Sequence, residues 1–554
     1  MEGENMATFK RILNLENYIF TFFILFVFYG AINSPYSLVK ILWEKPKHLL
    51  VLLPLLIILL LIIYKNKKFL YTKIQALWHL IKTHDRVVII GSLISLFLLQ
   101  LLLLTQITVP IGWDVFDNFH SITTENKDYS KIVLSLNPNN EFFFFMMYYL
   151  NKFLRFIDVT GSWSNTWFSW QVVNCLFINS SLFLFYHASK RVFNPLTAFV
   201  AYSLFFLSFG LSPWLLTPYT DTAVLLFINL VFFAYSLFDQ VSPPFVKYCL
   251  LLFIGIGLAW CFLMKPSSII FFIAFSCIKV LQLLLVNRNK QSIVKLTVVA
   301  LFLLTGFASA YYSFQFFVEK QTITEIDKEQ AKPWTLFVMM GLTGTGGYND
   351  ADTQAVNQLP TQEAKKAYTI KMIQDRLKNK GFFGYLRFLA QKNRHNTANG
   401  DFDWGWDGGD LIPETPSKNR WQEHLRSLYY PQNQKSNYLR IYMHFFYLLT
   451  LLGLLFSIPL KDSKNNYAIL KLAFIGAILY LLLFEGGRSR YLIQFMPFWY
   501  LLSASGWLGL RDLLNKVISS SIILSKNKRS LTFFQERMLG SFYSDNFSHS
   551  LRLQ

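Results

Sequence analysis

The feature that most constrains this chain is a series of apolar runs, each long enough to cross a bilayer (roughly 17 to 25 residues), starting near residues 17, 48, 87, 166, 196, 221, 248, 268, 294, 440, 467 and 490. A segment of this kind must satisfy its own backbone polar groups in lipid, which leaves the helix as its form. The expectation is an all-α polytopic membrane protein with about twelve transmembrane helices. Composition agrees, with 53% hydrophobic residues and 56 phenylalanines among 554 residues. The first run follows Lys10 and Arg11 and continues into Asn33-Ser34-Pro35 without a small-residue cleavage site, so it is expected to remain as an anchor.

Orientation follows from the short loops. Lys65, Lys67, Lys68, Lys73, Lys82 and Arg86 fill one connection; Lys190 with Arg191, Arg288 with Lys290 and Lys295, and Lys461 with Lys464 and Lys471 fill others. Basic short loops mark the cytoplasm. Twelve spans put all of them on one side together with both termini, including the tail with Lys526, Lys528 and Arg529. The net charge of +20 is thereby explained by topology, and no nucleic-acid partner is expected. Cys175, Cys249, Cys261 and Cys277 lie in apolar runs without paired spacing, which excludes a zinc or disulfide framework.

The same topology divides the chain. Residues 1–86 hold two leading spans and a basic cytoplasmic linker, and 87–318 a membrane core with a first outer loop at 110–164. Residues 319–438 form a large extracytoplasmic loop, 439–512 the last spans, and 513–554 a basic cytoplasmic tail. Every unusual polar cluster then faces outward in the plasma membrane. Gly112-Trp113-Asp114-Val115-Phe116-Asp117-Asn118 sets two acids among aromatic residues, where an idle carboxylate is costly. Asp114 is the leading candidate for a general base and Asp117 the second. Asp221, at the outer start of a span after Tyr219, either caps that helix or serves as a further carboxylate that binds an acceptor hydroxyl, orients the base or holds a divalent cation. No cofactor is firmly implied beyond that divalent cation.

Lys265 ends a span before Pro266 and either reaches the headgroups or binds phosphate. In Glu485-Gly486-Gly487-Arg488-Ser489-Arg490 the arginines suit phosphate oxygens, the glycines permit close approach to a ligand, and Glu485 orients an arginine. The outer loop contains an amphipathic stretch, Thr361 to His395, expected to lie on the membrane. Beside it, residues 341–349 read as a flexible glycine-rich loop. Residues 401–410 resemble a calcium loop lacking its closing glutamate, with Trp404 and Trp406 placed to stack on sugar rings.

An enzyme outside the cell has no nucleotide sugar, so a sugar transferase there takes a donor activated within the lipid. Its transfer needs a carboxylate for the acceptor hydroxyl and cations for the leaving phosphate. In this combination the chain resembles the GT-C fold glycosyltransferases, which include protein O-mannosyltransferases and the aminoarabinose transferase of lipid A. The parallel covers most of the chain from about residue 87 and rests on Asp114, the outer cations and the late outer loop. Gly112-Trp113-Asp114, Asn137-Pro138-Asn139-Asn140, Tyr219-Thr220-Asp221, Gly384-Tyr385-Leu386 followed by Lys392, and Arg488-Ser489-Arg490-Tyr491 are similar to a group of Gram-positive bacterial membrane proteins within this class.

The resemblance implies a GT-C-like fold and inverting transfer from a polyprenyl-phosphate sugar to a wall polysaccharide, teichoic acid or glycolipid. Asp114, Asp117 and Asp221 form the expected catalytic set, and Lys265, Arg488, Arg490 and Lys392 the donor phosphate set. Trp113, Tyr219, Trp404, Trp406 and Glu485 form the acceptor and sugar set. The two leading spans depart from the usual layout, and the paired Asp-Glu of the protein mannosyltransferases is missing, which speaks against a protein acceptor. A lipid-linked glycan ligase, or a flippase or exporter of lipid-linked sugars, is the alternative.

Overall fold

A computed structural model describes the chain except residues 1, 46–53, 55, 56, 59, 60, 63, 287, 288, 412–414 and 518–554. Among the described residues nine helices are long and apolar enough to span a membrane. They are Glu4–Ile32, Thr83–Ile107, Trp167–Val192, Thr220–Leu237, Pro244–Met264, Pro266–Leu285, Lys290–Lys320, Ser436–Phe456 and Asn466–Leu483. The run expected from about 48 begins outside the described residues. That expected from 196 forms the 15-residue helix Pro195–Phe209, short for a crossing. The run expected from 490 starts as a 3-10 stretch, Ser489–Phe495, and continues as a helix over 496–517. No strand forms among the described residues, which contain one isolated bridge between Ile111 and Leu411.

Small residues set a close helix contact. Pro244–Met264 crosses Lys290–Lys320 at Gly255 and Gly306, where a Cβ on either glycine would collide with the Leu303 or Leu252 carbonyl of the other helix. The first helix, Glu2–Ile32, packs on Ser436–Phe456, Asn466–Leu483 and Gln362–Thr397. It thus belongs to the bundle, and the Phe20 ring meets Phe474 edge-on at 5.2 Å.

Two irregular stretches, residues 108–112 and 213–219, interrupt the helices where polar side chains take up their carbonyls. Gln171 Nε2 donates to the carbonyls of Val109 and Leu216, each at 3.0 Å. Asn174 Nδ2 donates to those of Trp214 and Leu215 at 2.9 and 3.0 Å. Non-helical backbone at membrane depth persists where protein groups satisfy it in this way. These two buried amides fix the stretches from which the helices Trp113–Thr124 and Thr220–Leu237 start.

The long loop folds into helices Trp334–Met340, Asp350–Asn357, Gln362–Thr397 and Arg420–Tyr429. Its own small core of Leu336, Met339, Met340 and Val356 is held by a forked ion pair in which Arg376 donates to Asp352 at 2.7 and 2.8 Å. The expected amphipathic helix is present and breaks at Gly381, whose φ of 59° only glycine adopts readily. Phe382 and Phe383 beyond the break are exposed. The glycine-rich loop 341–349, expected to be flexible, is instead tied down: Gly346 O accepts from Gly486 N at 2.8 Å and Gly341 O accepts from Lys392 Nζ at 2.8 Å.

Candidate functional site

Side chains separated by hundreds of residues meet where the helix starting at Thr220, the end of Pro244–Met264 and the Arg488–Arg490 turn come together. The Asp221 side chain, 2% exposed, pairs with Lys265 and lies 3.6 Å from Arg490 Nε. Asp221 therefore serves as the partner of a buried ammonium; no side-chain cap bond forms at that helix start. Asp407, equally buried, accepts from Arg488 Nη1 at 2.7 Å and Arg490 Nη1 at 3.0 Å. Three cations, Lys265, Arg488 and Arg490, meet Asp221 and Asp407 here, and Glu485 lies close enough to act on all three, in a place shielded from water where charge interactions are strong.

Arg490 is also boxed by rings: its guanidinium lies 4.8 Å from the Trp113 centroid and 5.2 Å from that of Tyr491. Trp113 Nε1 donates to Asp407 O at 3.2 Å, so the same indole touches both arms of the cluster. Its backbone has φ 51°, a strained left-handed conformation for so large a residue. Gly112 N donates to Asp410 O at 2.9 Å and pins this elbow to the 401–410 segment.

Asp114 follows the elbow and is half-buried. Its Oδ2 accepts from the Tyr219 hydroxyl at 2.7 Å, and Oδ1 has no protein partner among the described residues. Tyr219 Oη also lies 2.8 Å from the Asn140 side-chain amide. One hydroxyl proton cannot serve both, and Asn140 Nδ2 is left without a partner. An amide turned so that Nδ2 donates to Tyr219 Oη satisfies all three groups. Asp117 accepts from the Tyr129 hydroxyl at 2.5 Å, and burial pushes its carboxyl above the ordinary value. Asp407 Oδ2 and Ser489 Oγ are further buried atoms without a hydrogen-bond partner among the described residues, and Asp221 Oδ2 and Arg490 Nε, 3.6 Å apart, form an ion pair without a hydrogen bond.

Glu485 accepts from the Tyr491 hydroxyl at 2.8 Å and is pushed up by burial. Among the described residues no ion pair joins it to an arginine, in contrast to the expectation that it orients one; its hydrogen bond is to the tyrosine. Gly486 and Gly487 do permit a close approach, but to protein. A Cβ on Gly486 would lie 2.5 Å from Asn396 Oδ1, and one on Gly487 2.6 Å from Gly347 N.

Lys392 is buried and donates to the carbonyls of Gly341, Leu482 and Phe484 at 2.8, 3.0 and 2.5 Å. Burial pulls its ammonium down to about 7, with the Glu485 carboxylate opposing. All three protons are directed at backbone, and the residue joins the outer loop to the end of Asn466–Leu483. Trp404 is 1% exposed, meets Trp214 edge-on and donates to Tyr429 O at 2.8 Å, whereas Trp406 is 71% exposed. Of the two indoles expected to stack on sugars, one is core and one is accessible.

Three of the four acids of 401–410 are engaged through their side chains. Asp401 pairs with Arg440 at 2.7 Å, Asp403 accepts from Ser489 N and from Asn399 Nδ2, and Asp407 holds the two arginines. Among the described residues no group of three or more His, Cys, Asp or Glu side chains is arranged to hold a metal ion. The sequence reading missed Asp407 and Asn140 as partners in the cluster. The 401–410 acids resemble a calcium loop only in part, without its closing glutamate, and nothing in local spacing links Asp407 to arginines 81 and 83 residues away.

No curated protein and no solved structure matches the chain. A family profile described as conserved hypothetical integral membrane protein matches residues 8–508, which contain every site residue described above. The chain therefore belongs to the family of conserved hypothetical integral membrane proteins.

Proposed function

We propose that this protein is a membrane glycosyltransferase of the GT-C type. It moves a sugar from a polyprenyl-phosphate donor to a wall polysaccharide, teichoic acid or glycolipid at the outer face of the plasma membrane, with about twelve spans and both termini in the cytoplasm. The observation that carries the reading is a half-buried carboxylate, Asp114, set one residue from Trp113, whose indole lies against Arg490 in a buried cluster with Lys265 and Arg488.

Asp114 Oδ1 takes the proton of the acceptor hydroxyl, and the resulting oxygen attacks the anomeric carbon as the bond to the phosphate oxygen breaks, with inversion. The polyprenyl phosphate departs with the electron pair of that bond. Arg488 and Arg490 each present N–H groups beyond the one spent on Asp407, and Lys265 adds a point charge, so the leaving phosphate is met by preorganised donors. Tyr219 orients the base. The charged groups gather at helix ends and loops, where a flippase would carry them near the middle of its spans.

The test is transfer by purified protein in lipid, supplied with polyprenyl-phosphate sugars and a cell-envelope extract and followed by mass spectrometry. Activity in the wild type, lost in a folded Asp114→Asn variant, is the expected result. A fully active Asp114→Asn variant removes the base assignment, and no transfer from any donor removes the transferase reading.

A further inference from the structure

Lys332 belongs to none of the groups described above. It sits between two outer-loop elements, its backbone N donating to Leu136 O at 3.3 Å and its Nζ to Asn137 Oδ1 at 2.7 Å. Asn137 opens the turn that ends in Asn140, with Asn140 N donating to Asn137 O at 3.0 Å, and Asn140 contacts the tyrosine that holds Asp114. Lys332 is thus built into the wall beside the base. The negative charges it feels are Asp114, Glu485 and Asp117.

It is nevertheless the ion-pair partner of none of them: no carboxylate lies within 4.0 Å of its ammonium among the described residues, and its one side-chain bond is to a neutral amide. Two of its three protons have no protein acceptor among the described residues. Half-buried and anchored at both backbone and side chain, it differs from a solvated surface lysine. In the transferase reading the donor phosphate is met by Arg488, Arg490 and Lys265, so an ammonium near Asp114 and apart from them serves the other substrate.

We propose that Lys332 marks a second anion subsite beside Asp114, which binds a phosphate carried by the acceptor. This inference rests on the transferase reading. It selects, among acceptors, those with a phosphate close to the reacting hydroxyl, such as a polyol phosphate or a phospholipid headgroup.

The test uses full-length protein in phosphatidylcholine nanodiscs, loaded with undecaprenyl phosphate and titrated with glycerol 3-phosphate, with glycerol as the neutral control. Wild type is expected to bind glycerol 3-phosphate and not glycerol. Lys332→Gln should weaken that binding about tenfold, as loss of a charged hydrogen bond does, and Lys332→Arg should retain it. Unchanged undecaprenyl phosphate binding shows that the variants are folded. Equal glycerol 3-phosphate binding by wild type and Lys332→Gln, or none by wild type, overturns the subsite. If undecaprenyl phosphate fails to bind wild type, the transferase reading falls instead, and the Lys332 comparison is read on unloaded protein. Phosphatidylglycerol in the disc separates the sources: competition dependent on Lys332 assigns the anion to a headgroup, and undiminished binding assigns it to a soluble polyol phosphate.

Discussion

The Tyr219 hydroxyl donates to Asp114 Oδ2 at 2.7 Å across 105 residues of sequence, joining the helix that carries Asp221 to the elbow that carries the candidate base. Both residues leave irregular stretches whose carbonyls are held by Gln171 and Asn174, so the base is positioned by buried amides of a third helix. The two halves of the site are thus fixed from one scaffold.

Removing that hydroxyl should separate orientation from proton transfer. Tyr219→Phe keeps the ring packing against Trp113 and Phe143, so the protein folds, but Asp114 and Asn140 lose a buried partner, at a cost of about 1–3 kcal/mol in stability. That hydroxyl holds Asp114 Oδ2 in place, so kcat is expected to fall on its removal, by less than in Asp114→Asn. An unchanged kcat would show that Tyr219 does not act on Asp114.

Arg440 pairs with fully buried Asp401 and stacks on Tyr36 at 3.9 Å, tying the first helix's exit to the segment that bears Asp407. Arg440→Met leaves a buried carboxylate uncompensated and should cost about 3–5 kcal/mol, seen as a lower melting temperature in detergent. Arg440→Met combined with Asp401→Asn should recover a large part of that loss. An additive double variant would mean that the pair is not coupled.

How much of this was legible depends on the range of the interactions. Spans at Trp167–Val192, Thr220–Leu237 and Pro244–Met264 follow from local hydropathy, and the charged residues stood out because they interrupt it. Their partners did not, since Asp407 finds its arginines and Asn140 finds Tyr219 only after the outer loop folds back. Trp404 and Trp406 are two residues apart and chemically identical, yet one is buried and one is free; the short turn Trp404–Asp407 decides which. The glycine loop looked flexible because its restraints, Lys392 and Gly486, are distant in sequence.

Glu141, outside the spanning segments at the start of the helix Glu141–Ile157, provides a test of burial by pH. Burial raises its carboxyl from 4.5 to about 7, with Lys328 opposing. Between those values the folded state holds more protons than the unfolded one, so its contribution is most favourable below pH 4.5 and is lost as pH rises through 7. Glu141→Gln, always neutral, should therefore gain stability over wild type at pH 8 and show little gain at pH 4. Melting curves of both proteins across that range check it, and a pH-independent difference would refute the burial argument.

The two indoles of the 404–407 turn should respond in opposite ways. Trp404 fills the space between Trp214 and the Tyr429 carbonyl, so Trp404→Ala opens a cavity and is expected to cost about 3–5 kcal/mol, with activity per folded molecule secondary. Trp406 is exposed with Arg488 5.7 Å from its ring, and Trp406→Ala should change stability by about 0.5 kcal/mol or less. If its face receives a sugar, the same change raises KM for donor or acceptor, and Trp406→Phe, which keeps an aromatic face, restores part of the loss. Melting and steady-state kinetics on the variants distinguish the roles. A Trp406→Ala enzyme with wild-type KM for both substrates would remove Trp406 from the sugar site and leave its ring as a cover for Arg488.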